Sequence, residues 1–531
     1  MRDFHLPGRG PMYALHGMAA TSMPQATLAA VEMLRSGGNA MDAAITAAAV
    51  LAVVEPQSTG IGGDVFCLYA PAGSGRVFAL NGSGRAPAAI DLEVIRARGD
   101  QFIDPQGPDS VTIPGAVSAW EALNTRFGSR GLDELLRPAI AYAADGYVVQ
   151  PRLAHDWRVN AARLRSGGVG AYLPGGQAPR VGDRMSNAAL AQTLRAIAAD
   201  GAAAFYRGEV AADIVRTLRA QGGVHTEDDF AAGMTGAEFV DPIRLAWKGF
   251  EVWECPPNGS GLIALMILGI LDGLGKADGP LGALRLHRHV EAARLAYRDR
   301  DAFLADPAVV DVPVDRLLSS EYLTALRGLI DDDRALAELP EPGETRLPAH
   351  RDTVYLTVVD EAGNACSFIN SLFENFGSTI YAEQSGVLLQ NRGQSFLLER
   401  GHPNALAPGK RPMHTIIPGM LTRDGQAVMP FGVMGGHFQP VGQSLLLTNM
   451  FDQGLDVQAA LDLPRVMPRF GDVYVERGVP MEARAGLTAR GHHVVEVDPP
   501  HGGGQAIWID RERGVLVGGS DQRKDGMALG Y

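Results

Sequence analysis

The sequence predicts an α+β fold of layered helices and sheets. Two observations carry that expectation. Apolar residues recur at helical spacing through much of 24–54 and 115–330, whereas from residue 353 onward β-branched and aromatic runs alternate with turn residues. Between the two regimes, 331–352 is charged, proline-rich and without apolar periodicity, which is linker composition.

Taken in order, the first helix has Thr27, Leu28, Val31 and Leu34 at helical spacing, with Pro24 in its first turn and Gly37-Gly38 to end it. The stretch 42–54 is alanine-rich and apolar nearly all round, the signature of a buried helix. A glycine turn at 59–64 leads into a strand at 65–69. Helices are expected at 116–126, 132–144, 187–199, 208–221 and 284–300. After the linker, 353–359 reads as a strand, 361–364 as a turn and 365–369 as its return. Two further hairpins are read at 419–433 and 506–517, the first turning at Asp424-Gly425 and the second at Gly514.

Composition narrows the function. A chain of 531 residues allows three or four domains or one elaborated unit. Apolar residues at 46% exclude a disordered chain, and 65 glycines point to many tight turns and close backbone approaches. Lys+Arg 47 against Asp+Glu 60 leaves a net charge of −13 with no basic run, a poor match for a nucleic-acid partner. The longest apolar run, 43–54, falls short of the ~20 residues that span a bilayer, and the first residues carry no signal pattern. Cys67, Cys255 and Cys366 are dispersed, form no CxxC pair, and are expected to be buried packing residues. A soluble, cytoplasmic protein is the expectation.

Several motifs fail on inspection. GxSxG is missing from the sequence, so an α/β-hydrolase nucleophile elbow is excluded. Gly60-Ile61-Gly62-Gly63 lacks the third glycine of a dinucleotide loop, and Gly409-Lys410 is followed by Arg411 where a P-loop needs Ser or Thr. His287 and His289 stand two apart in a helical pattern, so they point to different faces, and His492-His493 fares little better. The expectation is no metal and no organic cofactor.

Thr353 is the residue with a chemical prospect. By type it is an ordinary opener of a strand. Its position, where a polar linker meets a buried hairpin, is suited to chain cleavage. Cutting the bond before it would give Thr353 both a hydroxyl nucleophile and a free α-amine, whose reference pKa of about 7.7–8.0 suits a base near neutrality. A tetrahedral intermediate needs an oxyanion site, and the bare N–H groups of Gly435 and Gly436 are candidates, although the pair also reads as a plain turn.

These residues, with others in fixed order, carry a resemblance across nearly the whole chain. The segments are Gly37-Gly38-Asn39-Ala40 with Asp42, Gly60 to Gly63, Val111-Thr112-Ile113-Pro114-Gly115, Arg137-Pro138-Ala139-Ile140 and Pro256-Pro257 with Gly261. Thr353 with Val358-Val359-Asp360, Ser385-Gly386 with Asn391, Lys410-Arg411-Pro412, Gly435-Gly436 and Gly530-Tyr531 complete them. The sequence resembles the γ-glutamyltranspeptidase family of N-terminal-nucleophile hydrolases. The resemblance implies a four-layer αββα sandwich, made as a proenzyme that cuts itself before Thr353. Residues 1–352 and 353–531 would stay together as a heterodimer, singly or paired, and form one composite domain. It further implies that Ser371 hydrogen-bonds the nucleophile, that Gly435 and Gly436 form the oxyanion hole, and that an acyl-enzyme passes to water or an acceptor amine.

Departures from the family pattern gather at the substrate. Ser83 stands where the family carries a carboxylate-binding arginine, with Arg85 two places later. Ser395 replaces the aspartate that holds an α-amino group, Phe373 replaces an asparagine, and His414, beside Thr415, replaces the first of two serines. Arg392 and Arg85 are the candidate replacements for the lost clamp, worth about 1.5–3 kcal/mol in charge-assisted hydrogen bonds. Arg392, Gln394, Ser395, His414, Thr415 and Arg85 are thus the candidate substrate residues. The stretch 396–410 is short for a lid, which favours hydrolysis over transfer. The pattern is similar to the divergent branch of the family, and the expected substrate is a small amide: γ-glutamyl, oxamate or a β-lactam side chain. A silent binding protein that never cleaves is the reading of another class.

Overall fold

The computed structural model describes residues 8–275, 277–340 and 353–531. Two seven-stranded sheets form its centre. One runs in the order Met12–Ala14, Val515–Ser520, Gly503–Asp510, Gln426–Met434, Gly419–Arg423, Phe250–Glu254 and Ile243–Trp247. The other runs Met527–Gly530, Met18–Thr21, Val354–Val359, Ala365–Ser371, Asp64–Ala70, Phe78–Gly82 and Glu238–Val240. Every pairing within both sheets is antiparallel.

The period-two alternation of side chains builds the layers. In the second sheet Phe66, Leu68, Tyr355 and Ile369 face inward and meet Met420, Met434 and Ile507 of the first, forming the core between the sheets. The alternate residues Val65, Cys67, Val354, Leu356, Val358 and Phe368 face outward into an alanine-rich helical layer that includes Pro24–Arg35 and Ala40–Val54. On the far side Leu421, Met429, Phe431 and Val433 pack against Gly261–Leu271, Ala283–Phe303 and Gln439–Phe451. The architecture is helix, sheet, sheet, helix, as the family resemblance implied.

Residues from both sides of position 353 interleave. Val354–Val359 lies between Met18–Thr21 and Ala365–Ser371, which in turn pairs with Asp64–Ala70. Helix Ala40–Val54, buried along its whole length, is held by a capping box of Asn39 and Asp42, and its first N–H donates to Asp360 Oδ2 at 2.8 Å. Asn39, Asp42 and Asp360 thus owe their place in the sequence pattern to helix capping, at the turn that follows Val354–Val359.

Some sequence expectations need correction. The helix expected at 132–144 is two, Leu132–Leu135 and Arg137–Asp145, with Pro138 in the first turn of the second. The last third is not all hairpins, because Gln439–Phe451 and Val457–Asp462 are helices. The linker assignment fails at its start. His287 Nε2 lies 2.8 Å from the Asp331 carbonyl, Arg490 Nε donates to the Asp332 carbonyl at 2.7 Å, and the Leu336 N–H donates to Glu291 at 2.9 Å. Residues 331–336 are therefore docked, and the Pro340 carbonyl accepts from Arg298 at 3.4 Å; 341–352 lies outside the described residues.

Candidate active site

Thr353 sits one residue before strand Val354–Val359 and is fully buried. The hairpin register pairs Val354 with Asn370, which brings residue 353 opposite Ser371 at the end of the neighbouring strand. The two hydroxyl oxygens are 3.4 Å apart. Ser371 Oγ accepts from the Phe373 N–H at 2.9 Å and from Arg392 Nη2 at 3.2 Å. With its lone pairs so engaged, its own hydrogen is left to point at Thr353 Oγ1.

A second donor reaches the same oxygen. Gln439, the first residue of helix Gln439–Phe451, places Nε2 3.4 Å from Thr353 Oγ1. Its Oε1 accepts from the Ile417 N–H at 3.1 Å, which fixes which end of the amide faces the threonine. Two donors on one hydroxyl oxygen favour its negatively charged form, the form that attacks a carbonyl. Sequence reasoning missed Gln439; its position three residues after the glycine pair was the available signal.

Gly435 and Gly436 end strand Gln426–Met434 and lead into that helix. Their φ angles of 118° and 58° lie in the region that favours glycine, and a Cβ on Gly435 would come 2.8 Å from Gly502 Cα. Such a turn at the start of a helix leaves N–H groups free of side-chain cover, which suits a developing oxyanion. A cavity of ≈ 420 Å³ opens beside Gly435, lined by Asn375, Phe438, His501 and Lys524 among others; Thr353 does not line it.

Arg392 enters from the turn Arg392–Ser395 and is fully buried. Besides Ser371 it donates to Thr415 Oγ1 at 2.9 Å, and its guanidinium lies 4.1 Å over the Phe373 ring. Among the described residues its Nε has no hydrogen-bond partner. Burial pushes its pKa down to about 9, against the opposing pull of the Asp64 carboxylate. In the same turn Gln394 Oε1 and Ser395 Oγ are buried and also lack partners among the described residues. Three unpartnered polar atoms in one buried turn are costly unless something binds there.

Behind this turn lies a locked pair. His414 Nε2 is 3.1 Å from Asp64 Oδ2, and His414 Nδ1 accepts the Ile416 N–H at 3.3 Å. Asp64 Oδ1 accepts from Gln390 Nε2 at 2.9 Å and from the N–H groups of Gly84 and Gly115. Burial first, and then the neighbouring Arg392 cation, push the His414 pKa down to about 3, so the ring is neutral. With both ring nitrogens occupied, His414 supports its neighbour Thr415 and has nothing to offer a substrate. That differs from the sequence expectation, and the reason is Asp64, which the sequence reading did not single out.

Arg85 is also placed elsewhere. It donates to the Gly409 carbonyl at 3.1 Å and pairs with Glu238 and Asp306 at 3.2 and 3.4 Å. Ser83 accepts from Asn258 Nδ2 at 3.1 Å, and its carbonyl accepts Arg411 Nε at 3.0 Å. Of the two arginines put forward, the structure brings Arg392 to Ser371, which faces Thr353, and commits Arg85 to an ion-pair network with Glu238 and Asp306. Gly63 explains another part of the sequence pattern, since a Cβ there would meet the Ser371 carbonyl at 2.2 Å. The three cysteines are buried free thiols, as expected.

A four-layer αββα sandwich with a hydroxyl residue at the head of a central strand defines the class of N-terminal-nucleophile hydrolases, and this chain is an enzyme of that type. The gamma-glutamyltranspeptidase family model matches residues 26–531, and the chain belongs to that family. A glutathione hydrolase-like proenzyme of Bacillus subtilis is 38% identical over 520 residues, 95% of this chain and 96% of the relative. An oxamate amidohydrolase proenzyme of Klebsiella pneumoniae is 38% identical over 534 residues, covering 97% and 98%. Among solved structures, a cephalosporin acylase from Bacillus halodurans superposes with a TM-score of 0.93 at 40% identity, covering 100% of this chain and 99% of its own.

Proposed function

We propose that the chain is a proenzyme that cuts itself before Thr353 and then hydrolyses a small amide bearing a carboxylate close to the scissile carbonyl. The buried Arg392 carries this reading. No carboxylate among the described residues accepts a hydrogen bond from it, and a fully buried cation without one calls for an anion from the substrate.

The proposed steps follow from the geometry. Cleavage frees the Thr353 amine, which takes the hydroxyl proton as Oγ1 attacks the amide carbon. The N–H groups of Gly435 and Gly436 receive the oxyanion. As the C–N bond breaks, the protonated amine returns its proton to the leaving nitrogen, and an ester on Thr353 remains. Water, deprotonated by the same amine, attacks the ester carbon; the bond to Oγ1 breaks, the amine returns its proton to Oγ1, and the acid is released. Ser371 and Gln439 hold Oγ1 in place, and the buried, unpartnered oxygens of Gln394 and Ser395 stand in the same turn as Arg392 to meet the substrate. The two cleavage products stay paired through their shared sheets.

The short chain of contacts from Arg392 through Ser371 to Thr353, 3.2 and 3.4 Å, favours a short acid such as oxamate over a γ-glutamyl compound, whose α-carboxylate lies further from the scissile bond. Release to water is favoured because 396–410 is closed on itself. Leu397 pairs with Ala405 and Lys410 Nζ caps the Pro403 and Ala405 carbonyls, so this stretch offers no long lid. A cytoplasmic location fits Cys67 and Cys366, whose sulfurs stand 3.7 Å apart as separate thiols.

The test is intact mass under denaturing conditions, followed by ammonia release from oxamate and turnover of glutathione and a γ-glutamyl anilide. Wild type should give two chains, the smaller headed by Thr353, and oxamate should be the best substrate. Thr353→Ala should remain one inactive chain. A cut, active Thr353→Ala protein would sink the proposal, and an uncut wild type would favour a binding protein.

A further inference from the structure

Away from the Thr353 cluster, the structure assembles a second group of chemistry-bearing side chains that the proposed hydrolysis does not use. His287 and Glu291 stand four residues apart on helix Ala283–Phe303, so they share a face. His492, in the turn between helix Met481–Ala489 and strand His493–Glu496, closes over them. The ligand atoms of all three lie within 4.8 Å of one another, and all three residues are buried. The two-residue spacing of His287 and His289 hid this group in the sequence, because the partners come from position 291 and from far along the chain.

The geometry points to a site for one divalent transition-metal ion of the zinc type, bound by His287 Nδ1, His492 Nε2 and Glu291 Oε1. Tetrahedral coordination at bonds of about 2.0–2.2 Å separates ligand atoms by roughly 3.3–3.5 Å. The two ring nitrogens are now 2.7 Å apart and His492 Nε2 is 3.9 Å from Glu291 Oε1. One contact must open and the other close, each by less than about an ångström. His287 is already turned for the task. Its Nε2 lies 2.8 Å from the Asp331 carbonyl, and an N–H there leaves the Nδ1 lone pair facing the site, the usual support behind a metal-bound histidine. Glu291 Oε2 is held by the Leu336 N–H at 2.9 Å, which leaves Oε1 toward the site. A cavity of ≈ 420 Å³ bordered by His492, Arg294 and Leu336 gives an ion a way in and room for a water as fourth ligand.

Charge narrows the choice of metal. Arg294 donates to Glu291 Oε1 at 2.7 Å, and Arg490 lies close by, bonded to the Asp332 and Gly486 carbonyls. These cations work against any positive ion, so a hard cation that relies on carboxylate charge would not hold. Two imidazoles select a borderline metal such as Zn²⁺. The site joins residues on either side of position 353. If the proposed cut occurs, the ion would link the two products; the site itself does not depend on that cut.

The experiment uses Zn²⁺ and Co²⁺ on the full-length protein and on the Thr353→Ala chain. After equilibration and gel filtration into metal-free buffer, both should retain one Zn²⁺ per chain by elemental analysis. Co²⁺ should give visible absorption of tetrahedral intensity, and Ca²⁺ should not be retained. His492→Gln should weaken Zn²⁺ binding by more than about 100-fold while far-UV circular dichroism and amide turnover stay as in wild type. His287→Gln serves as the second variant if the first does not fold. Wild-type protein that emerges without Zn²⁺, or a folded variant that keeps the same stoichiometry and cobalt spectrum, would overturn the assignment.

Discussion

Arg392 donates to Ser371 Oγ at 3.2 Å, and so the residue proposed to meet a substrate carboxylate also orients the hydroxyl that faces Thr353. In the proposed reaction, substrate recognition and nucleophile alignment share one hydrogen bond. Removing the guanidinium should therefore affect both. Arg392→Gln should lower kcat/KM for oxamate by about 10–100-fold, the range expected for losing a charge-assisted contact. Arg392→Lys should recover only part of it, because an ammonium cannot bridge Ser371 and Thr415 together. Steady-state kinetics on both variants checks this, and an unchanged kcat/KM would remove Arg392 from the site.

Ser371 is expected to act in the precursor as well as the product. Ser371→Ala removes the donor to Thr353 Oγ1 and leaves the Phe373 N–H and Arg392 Nη2 without their acceptor. The fraction of cut chain, followed by gel electrophoresis over time, should fall together with kcat. Ser371→Thr should restore both.

Gln439 gives a milder expectation. Its side chain contributes one neutral hydrogen bond to Thr353 and one to the Ile417 N–H. Gln439→Leu should cost about 2–10-fold in kcat with KM nearly unchanged, since a neutral bond is worth about 0.5–1.5 kcal/mol. A dominant rise in KM would show that Gln439 touches substrate instead.

His414 sets an acid limit. Its pKa falls from 6.5 to about 3 in the folded chain, because burial and Arg392 oppose its protonation. The folded state thus binds fewer protons than the unfolded state between those values. Stability from this group is full above pH ~6.5 and declines as pH drops toward ~3, by at most about 1.4 kcal/mol per pH unit. Urea midpoints measured across that window should show a shallower slope for His414→Gln than for wild type. Equal slopes would refute the buried neutral imidazole.

The fold's layering was legible because the β-branched and aromatic runs on either side of the 361–364 turn and the apolar, alanine-rich 42–54 stretch mark a buried hairpin and a buried helix. The pairing of Thr353 with Ser371 came from the family resemblance alone, and the hairpin register of Val354 with Asn370 supplies its physical reason. Helices Gly261–Leu271 and Gln439–Phe451 were missed because both are buried on nearly every side and show little periodic contrast. Arg392 is a candidate in the sequence because the family's carboxylate-binding arginine is missing at Ser83. Asp64 and Gln439 did not stand out, because their roles arise only where separate parts of the chain meet. The same applies to His414, which read as a pocket residue until its ring was seen between Asp64 and the Ile416 N–H.

The interleaving of Val354–Val359 between Met18–Thr21 and Ala365–Ser371 bears on the life of the molecule after processing. An intact chain that loses its structure can find it again alone, as a first-order event. Once the bond before Thr353 is gone, two separate polymers must meet to rebuild one sheet, and the rate of recovery depends on how many of each are nearby. Scission thus acts as a one-way ratchet: the cut enzyme persists by how slowly it opens rather than by how readily it re-forms.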